Sequence, residues 1–125
     1  MTDAEQCDRG AASLTIVLLA PLLLVLMFAG FQAAMWNHAR TEARVIARET
    51  AALVARDHLP APQAVAAAVA SLASDTVLAA VNVLVDTTAT DVVVTITGSA
   101  PGMLRGTSAS VRVTVALPLE GWVQL

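Results

Sequence analysis

The sequence has few aromatic residues and few charges, and it has no lysine. Its 125 residues include two Trp, two Phe and no Tyr, and charged residues make up 14%. The seven basic residues are all Arg, and the formal net charge is −3. Nucleic-acid binding needs a basic face, and base recognition in single strands needs aromatic platforms. The composition therefore predicts no nucleic-acid partner.

Residues that carry catalysis or bind metals are also scarce. The single cysteine, Cys7, excludes an internal disulfide and a cysteine-based zinc site. The two histidines, His38 and His58, lie too far apart along one predicted helix to share a metal. The sequence has neither a Gly-x-Ser-x-Gly nucleophile motif nor a glycine-rich phosphate loop between a strand and a helix. These absences predict a non-enzymatic protein without metal, cofactor or small-molecule substrate.

A long uncharged stretch dominates the N-terminal part of the chain. No Asp, Glu, Lys or Arg occurs between Arg9 and Arg40, and residues 14–31 are almost continuously apolar. A bilayer-spanning helix needs about 20 apolar residues, and backbone groups in lipid must bond within their own segment. The sequence therefore predicts a transmembrane helix over residues 11–36 after a polar leader, residues 1–10. Pro21 should kink this helix.

The helical pattern continues beyond the predicted span. Trp36 is typical of the membrane interface, and residues 37–59 predict an extramembrane extension that Pro60 and Pro62 end. Apolar spacing at i, i+3, i+4 and i+7 predicts one buried face, formed by Ala39, Ala43, Ile46, Thr50 and Leu53.

Arginines recur on another face of this extension. Arg40, Arg44 and Arg48 are spaced by four residues, and Arg56 lies two steps further along the same row. This arginine ridge has two interpretations. It is either a solvated helix face or a contact surface for lipid headgroups or for acidic groups of a neighbouring subunit.

Residues 60–125 predict a small αβ domain. Residues 61–74 form a helix candidate, with an apolar face formed by Val65, Val69 and Leu72. Three later segments alternate with a period of two and are rich in β-branched residues, namely residues 81–85, 92–97 and 111–117. We therefore predict an α+β fold: a long N-terminal transmembrane helix that continues outside the bilayer, a second short helix and a three-stranded antiparallel sheet.

The boundary between leader and span reads Asp8-Arg9-Gly10-Ala11-Ala12-Ser13-Leu14. A secretory signal would place small residues in an Ala-x-Ala pattern after the apolar stretch. Here Phe31-Gln32-Ala33-Ala34 offers no clean pair of small residues at the −3 and −1 positions of any cut. The arrangement resembles type IV prepilins, and is most similar to TadE-type pseudopilins of tight-adherence (Flp) pilus systems, in the variant common in high-GC Gram-positive bacteria. The resemblance covers roughly residues 8 to 57 and includes Pro21 in a Leu-rich span.

This resemblance implies a processing step and a set of partners. A prepilin peptidase would cut between Gly10 and Ala11, and the junction would be presented in extended form, which Gly permits. The partners would be the membrane, the peptidase, other pilins or pseudopilins and the pilus platform. Prepilins usually carry Glu at the fifth mature position, which is Thr15 here. This departure favours a minor or accessory component over a major pilin.

The orientation in the membrane has two conflicting indications. One arginine precedes the span and several follow it, so the positive-inside rule alone would place the αβ domain in the cytoplasm. A prepilin-like leader instead requires a cytoplasmic N-terminus. We expect a single-pass protein of the cell membrane with an extracytoplasmic C-terminal domain. The alternative is an uncleaved anchor whose αβ domain binds or regulates a neighbouring membrane complex.

Overall fold

The computed structural model describes residues 3–119, and the side chains from Arg9 onward. The chain contains two helices followed by three strands, in the order α1 (Asp3–Asp57), α2 (Ala61–Asp75), β1 (Ala79–Thr87), β2 (Asp91–Ala100) and β3 (Ala109–Pro118). This arrangement confirms the predicted α+β fold. The chain divides into two compact units, Met1–Ala34 and Met35–Leu125.

The first unit is the N-terminal part of α1, and its apolar side chains are uncovered. The large apolar side chains from Leu14 to Phe31 are 47% to 71% exposed. The most apolar 18-residue window of the described helix has a mean hydropathy of 2.7, and none of it is buried. Apolar surface of this extent is unfavourable in water at about 25 cal/mol per Å², so lipid or other helices must cover it. The helix continues through Pro21.

Within the second unit, α1 buries a stripe of small residues. The buried positions are Ala39, Ala43, Ile46, Ala47, Thr50, Ala51, Val54 and Ala55. The prediction is correct for its first four residues and wrong for Leu53, which is 38% exposed. The predicted spacing averages 3.5 residues per turn and lags the helix by about 20° per heptad. After two heptads, Leu53 has rotated out of the stripe.

Helix α1 ends where the backbone turns left-handed. His58 has φ 51°, and the Leu59 N–H donates to the Leu53 carbonyl over 3.2 Å, a bond that satisfies one of the last free carbonyls of the helix. Pro60 then takes the N-cap position of α2, and Pro62 lies in its first turn, as predicted.

Helix α2 buries Ala64, Ala68 and Leu72. The sequence correctly predicted Leu72, but Val65 is only half-buried and Val69 is 41% exposed. The three buried residues lie four apart on one side of the helix. The small side chains of Ala64 and Ala68 let α2 pack closely against β1, and Leu72 fills the core at the end of this row. Val65 and Val69 lie beside the row, at the margin of that contact.

The three strands form an antiparallel meander in the order β1-β2-β3. Val83, Ile96 and Val113 lie in one row across the sheet, and all three are buried. Of the other alternating residues predicted to share this face, Val92, Val94 and Val111 are buried, and the remainder are half-buried: Val81, Val85, Val115 and Leu117. This sheet face and the buried sides of α1 and α2 share one hydrophobic core. The core fixes the orientation of α1 within the second unit, and therefore determines which of its side chains face outward.

Candidate processing junction and helix contact surfaces

The predicted cleavage junction lies in the first turns of α1. Gly10 and Ala11 are both exposed and helical, whereas the resemblance implied an extended junction. A peptidase would therefore have to unwind this part of the helix. Gly within a helix costs about 1 kcal/mol relative to Ala, so Gly10 lowers the free energy of that unwinding.

Nothing in the described structure requires glycine at position 10. A Cβ added to Gly10 would meet no atom within 4 Å among the described residues. A larger residue can therefore be introduced there without disturbing the packing of the chain. Any requirement for a small residue at this position must come from outside the described structure.

Thr15 satisfies its hydroxyl within its own helix. Its Oγ1 donates to the carbonyl oxygen of Ala11 over 2.8 Å. This bond makes a hydroxyl tolerable on an apolar helix surface. A hydroxyl carries no negative charge, so Thr15 cannot neutralise an ammonium group as a glutamate at this position would.

The predicted arginine ridge is exposed along its full length. Arg40, Arg44, Arg48 and Arg56 all have exposed side chains. Among residues 9–119, no acidic group lies within 4 Å of the guanidinium groups of Arg40, Arg44 or Arg48. These three arginines are available for contacts outside the chain.

Another side of α1 carries a groove that the sequence analysis did not predict. Its volume is about 280 Å³, and it is lined by His38, Thr41, Glu42, Val45, Ile46, Glu49 and Asp75. His38 Nε2 lies 3.1 Å from Glu42 Oε1. At about 100° per residue, Glu42 and Arg44 lie on nearly opposite sides of the helix. The second unit thus presents a basic and an acidic side along α1.

The acidic groove does not have the geometry of a metal site. Among the residues that the structure describes, no three His, Cys, Asp or Glu side chains come together to hold a metal ion. The spacing of Glu42 and Glu49 is visible in the sequence. Asp75 comes from the end of α2, so only the tertiary structure shows that it completes the groove.

The side chain of Trp36 packs within the second unit. It is half-buried against the hydrophobic core, and its Nε1 is buried without a hydrogen-bond partner among the described residues. The sequence predicts a position at the membrane interface for this residue.

Residues 10–52 match the family model of TadE-like proteins. The N-terminal helix of this chain is TadE-like. No curated protein and no solved structure matches the chain.

The TadE-like segment confirms the predicted family resemblance and lies within the range predicted for it. It begins at Gly10 and includes Thr15 and the first three arginines of the ridge, but it ends before Arg56. All of α2 and the sheet lie outside it. The match therefore concerns the helix, and the αβ domain must be interpreted from its own structure.

Proposed function

We propose that this chain is a minor pseudopilin, or an accessory structural component, of a tight-adherence type pilus assembly and secretion apparatus. The TadE-like helix supports this proposal, because its apolar residues 14–31 are uncovered within the chain. A helix with this surface spans a bilayer and can later pack against similar helices without refolding. A prepilin peptidase processes the chain before it is assembled.

The mechanism starts at the junction between leader and span. Cleavage after Gly10 leaves Ala11 as the new N-terminus at the cytoplasmic side of the membrane. The shortened helix then leaves the bilayer sideways into a helical assembly on the pilus platform. Small residues such as Ala29 and Gly30 permit close approach of a neighbouring helix. A Cβ on Gly30 would meet no described atom within 4 Å, so the space beside it is open to a partner.

The proposal is tested by deletion combined with cross-linking in the cell. Deleting the gene should abolish or strongly reduce surface pili, and the intact gene should restore them. A photo-cross-linking amino acid at Leu24, which is 55% exposed, should capture other pilins or platform proteins. The same amino acid at Ala89, which is exposed in the turn between β1 and β2, serves as the control outside the helix.

Normal pilus assembly without this chain, together with no pilus protein captured from Leu24, would contradict the proposal. Genes for a secretion ATPase and paired membrane platform proteins beside this one would support it.

The orientation of the αβ domain provides a second prediction. We expect the region beyond residue 60 to lie outside the cytoplasm, because the prepilin-like leader must face a cytoplasmic peptidase site. A reporter enzyme that is active only outside the cytoplasm, fused after Leu125, should be active. A reporter that requires the cytoplasm should be inactive at the same position.

The reverse reporter pattern would favour the second candidate function. Arg9 precedes the span, whereas four arginines follow it on the same helix. If these charges set the orientation, the chain is an uncleaved anchor with a cytoplasmic αβ domain. That domain would bind or regulate a neighbouring membrane complex.

A further inference from the structure

The two ends of the sheet carry loops of opposite character. At one end, residues 88–90 connect β1 to β2, and the neighbouring Asp86 and Asp91 add negative charge. At the other end, residues 101–108 connect β2 to β3. This second connection, the 101–108 loop, exposes Met103 by 53% and Leu104 by 70%. These two adjacent side chains at the tip of a loop leave apolar area in water, which is unfavourable at about 25 cal/mol per Å².

The 101–108 loop has a defined conformation. A Cβ on Gly102 would collide with the Thr107 side chain and carbonyl. Gly106 has φ 86°, which favours glycine because it has no Cβ. The carbonyl of Leu104 accepts bonds from the Thr107 N–H over 3.2 Å and from its hydroxyl over 2.6 Å. These constraints close a tight turn and hold Met103, Leu104 and Arg105 outward.

The position of the loop follows from contacts within the second unit. Asp75, the last residue of α2, lines a groove with His38 and Glu42, near the start of the α1 portion of this unit. Strand β1 begins four residues later at Ala79, which pairs with Ser99 next to the loop. The 101–108 loop therefore lies at the end of the unit to which the apolar span is joined along the chain.

The same end adds a further apolar side chain and a positive charge. Val77, between α2 and β1, is 52% exposed. Arg105 is exposed, and no acidic group of residues 9–119 lies within 4 Å of it. Asp75 and Glu42 also lie at this end, but on the groove beside α1. At the opposite end of the sheet, residues 86–91 are threonines, aspartates and one alanine, and include no large apolar side chain.

We propose that the 101–108 loop docks on the bilayer surface while the chain is anchored in the membrane. Met103 and Leu104 enter the boundary between headgroups and acyl chains, and Arg105 binds the phosphates of anionic headgroups. An apolar tip beside a cation is the chemistry by which protein segments lie in the membrane interface. The inference requires α1 to span a bilayer, but it does not depend on a role in pilus assembly.

Site-specific fluorescence on the full-length chain in vesicles tests this proposal. With Cys7 replaced by Ser, a single cysteine is introduced as Leu104→Cys and labelled with the environment-sensitive dye NBD. In vesicles of phosphatidylcholine and phosphatidylglycerol, the emission should be blue-shifted and quenched by spin labels near the headgroups. The matched control is Ala89→Cys at the opposite end of the sheet. In the same vesicles, the dye at this position should show the unshifted and unquenched emission of a dye in water.

The charge of Arg105 gives the second arm of the test. One arginine near an anionic surface contributes about 1 kcal/mol, which corresponds to a roughly fivefold change in the docking equilibrium. Arg105→Gln should therefore weaken the position-104 signal by about that factor in anionic vesicles and leave it unchanged in pure phosphatidylcholine. An aqueous signal at position 104 in lipid vesicles would overturn the proposal. So would protection found only in native membranes, since a protein partner would then cover the loop.

Discussion

Gly10→Leu should block removal of the first ten residues, and cells should then contain the full-length chain. A side chain at this position has open space around it in the described structure, so the substitution leaves the fold intact. It fills the space that a peptidase needs against the backbone of the junction. Overpacking a fitted site typically costs about 1–3 kcal/mol, which predicts a cleavage rate roughly fivefold to 150-fold slower.

Intact-mass measurement of the native protein decides this prediction. The wild-type chain should lack residues 1–10 in cells with an active prepilin peptidase, and Gly10→Leu should retain them. Gly30→Leu is the matched control, because Gly30 is also helical, exposed and without neighbours, and its substitution should leave cleavage unchanged. A full-length mass for the wild-type chain would remove the processing hypothesis and favour the uncleaved anchor.

Thr15→Glu should raise the number of copies of this chain in sheared pilus assemblies. After cleavage, Ala11 carries an ammonium group, and an unpaired charge in a low-dielectric helix bundle costs several kcal/mol. A glutamate at the fifth mature position of an adjacent subunit would neutralise that charge. Because each 1.4 kcal/mol corresponds to a factor of ten, the copy number should rise roughly tenfold or more. The wild-type chain should not polymerise alone.

Quantitative mass spectrometry of sheared assemblies measures this effect against a matched control. Thr15→Val removes the bond to the Ala11 carbonyl but adds no charge, so it should leave the copy number low. The contrary result has three parts: near-stoichiometric wild-type chain, loss of filaments on deletion, and no response to Thr15→Glu. That combination would identify a major subunit, and the minor-component hypothesis would be wrong.

Composition and periodicity determined the local structure of this protein. An uncharged apolar stretch of this length has to form a helix in a membrane, and alternating β-branched residues have to form strands with one buried face. The strand residues Val92, Val94 and Ile96 are fully buried, as predicted. A strand has only two faces, so its period of two leaves little choice about which residues are buried.

The family resemblance was likewise predictable without a structure. The residues around Gly10 and the Leu-rich span predicted a TadE-like segment, and the family match covers residues 10–52. This was possible because a long apolar helix is defined by local sequence. Its recognition by partners does not require distant parts of the chain to meet.

Tertiary structure decided which helix faces are buried and which distant residues meet. A helix can turn any side toward a sheet, and close packing favoured the small residues Ala47 and Ala68 over the larger Leu53 and Val69. The same packing brought Asp75 beside Glu42, and placed the 101–108 loop at the end of the domain joined to the span. Residues far apart in the chain meet only when a shared core fixes both elements, and local sequence does not specify that core.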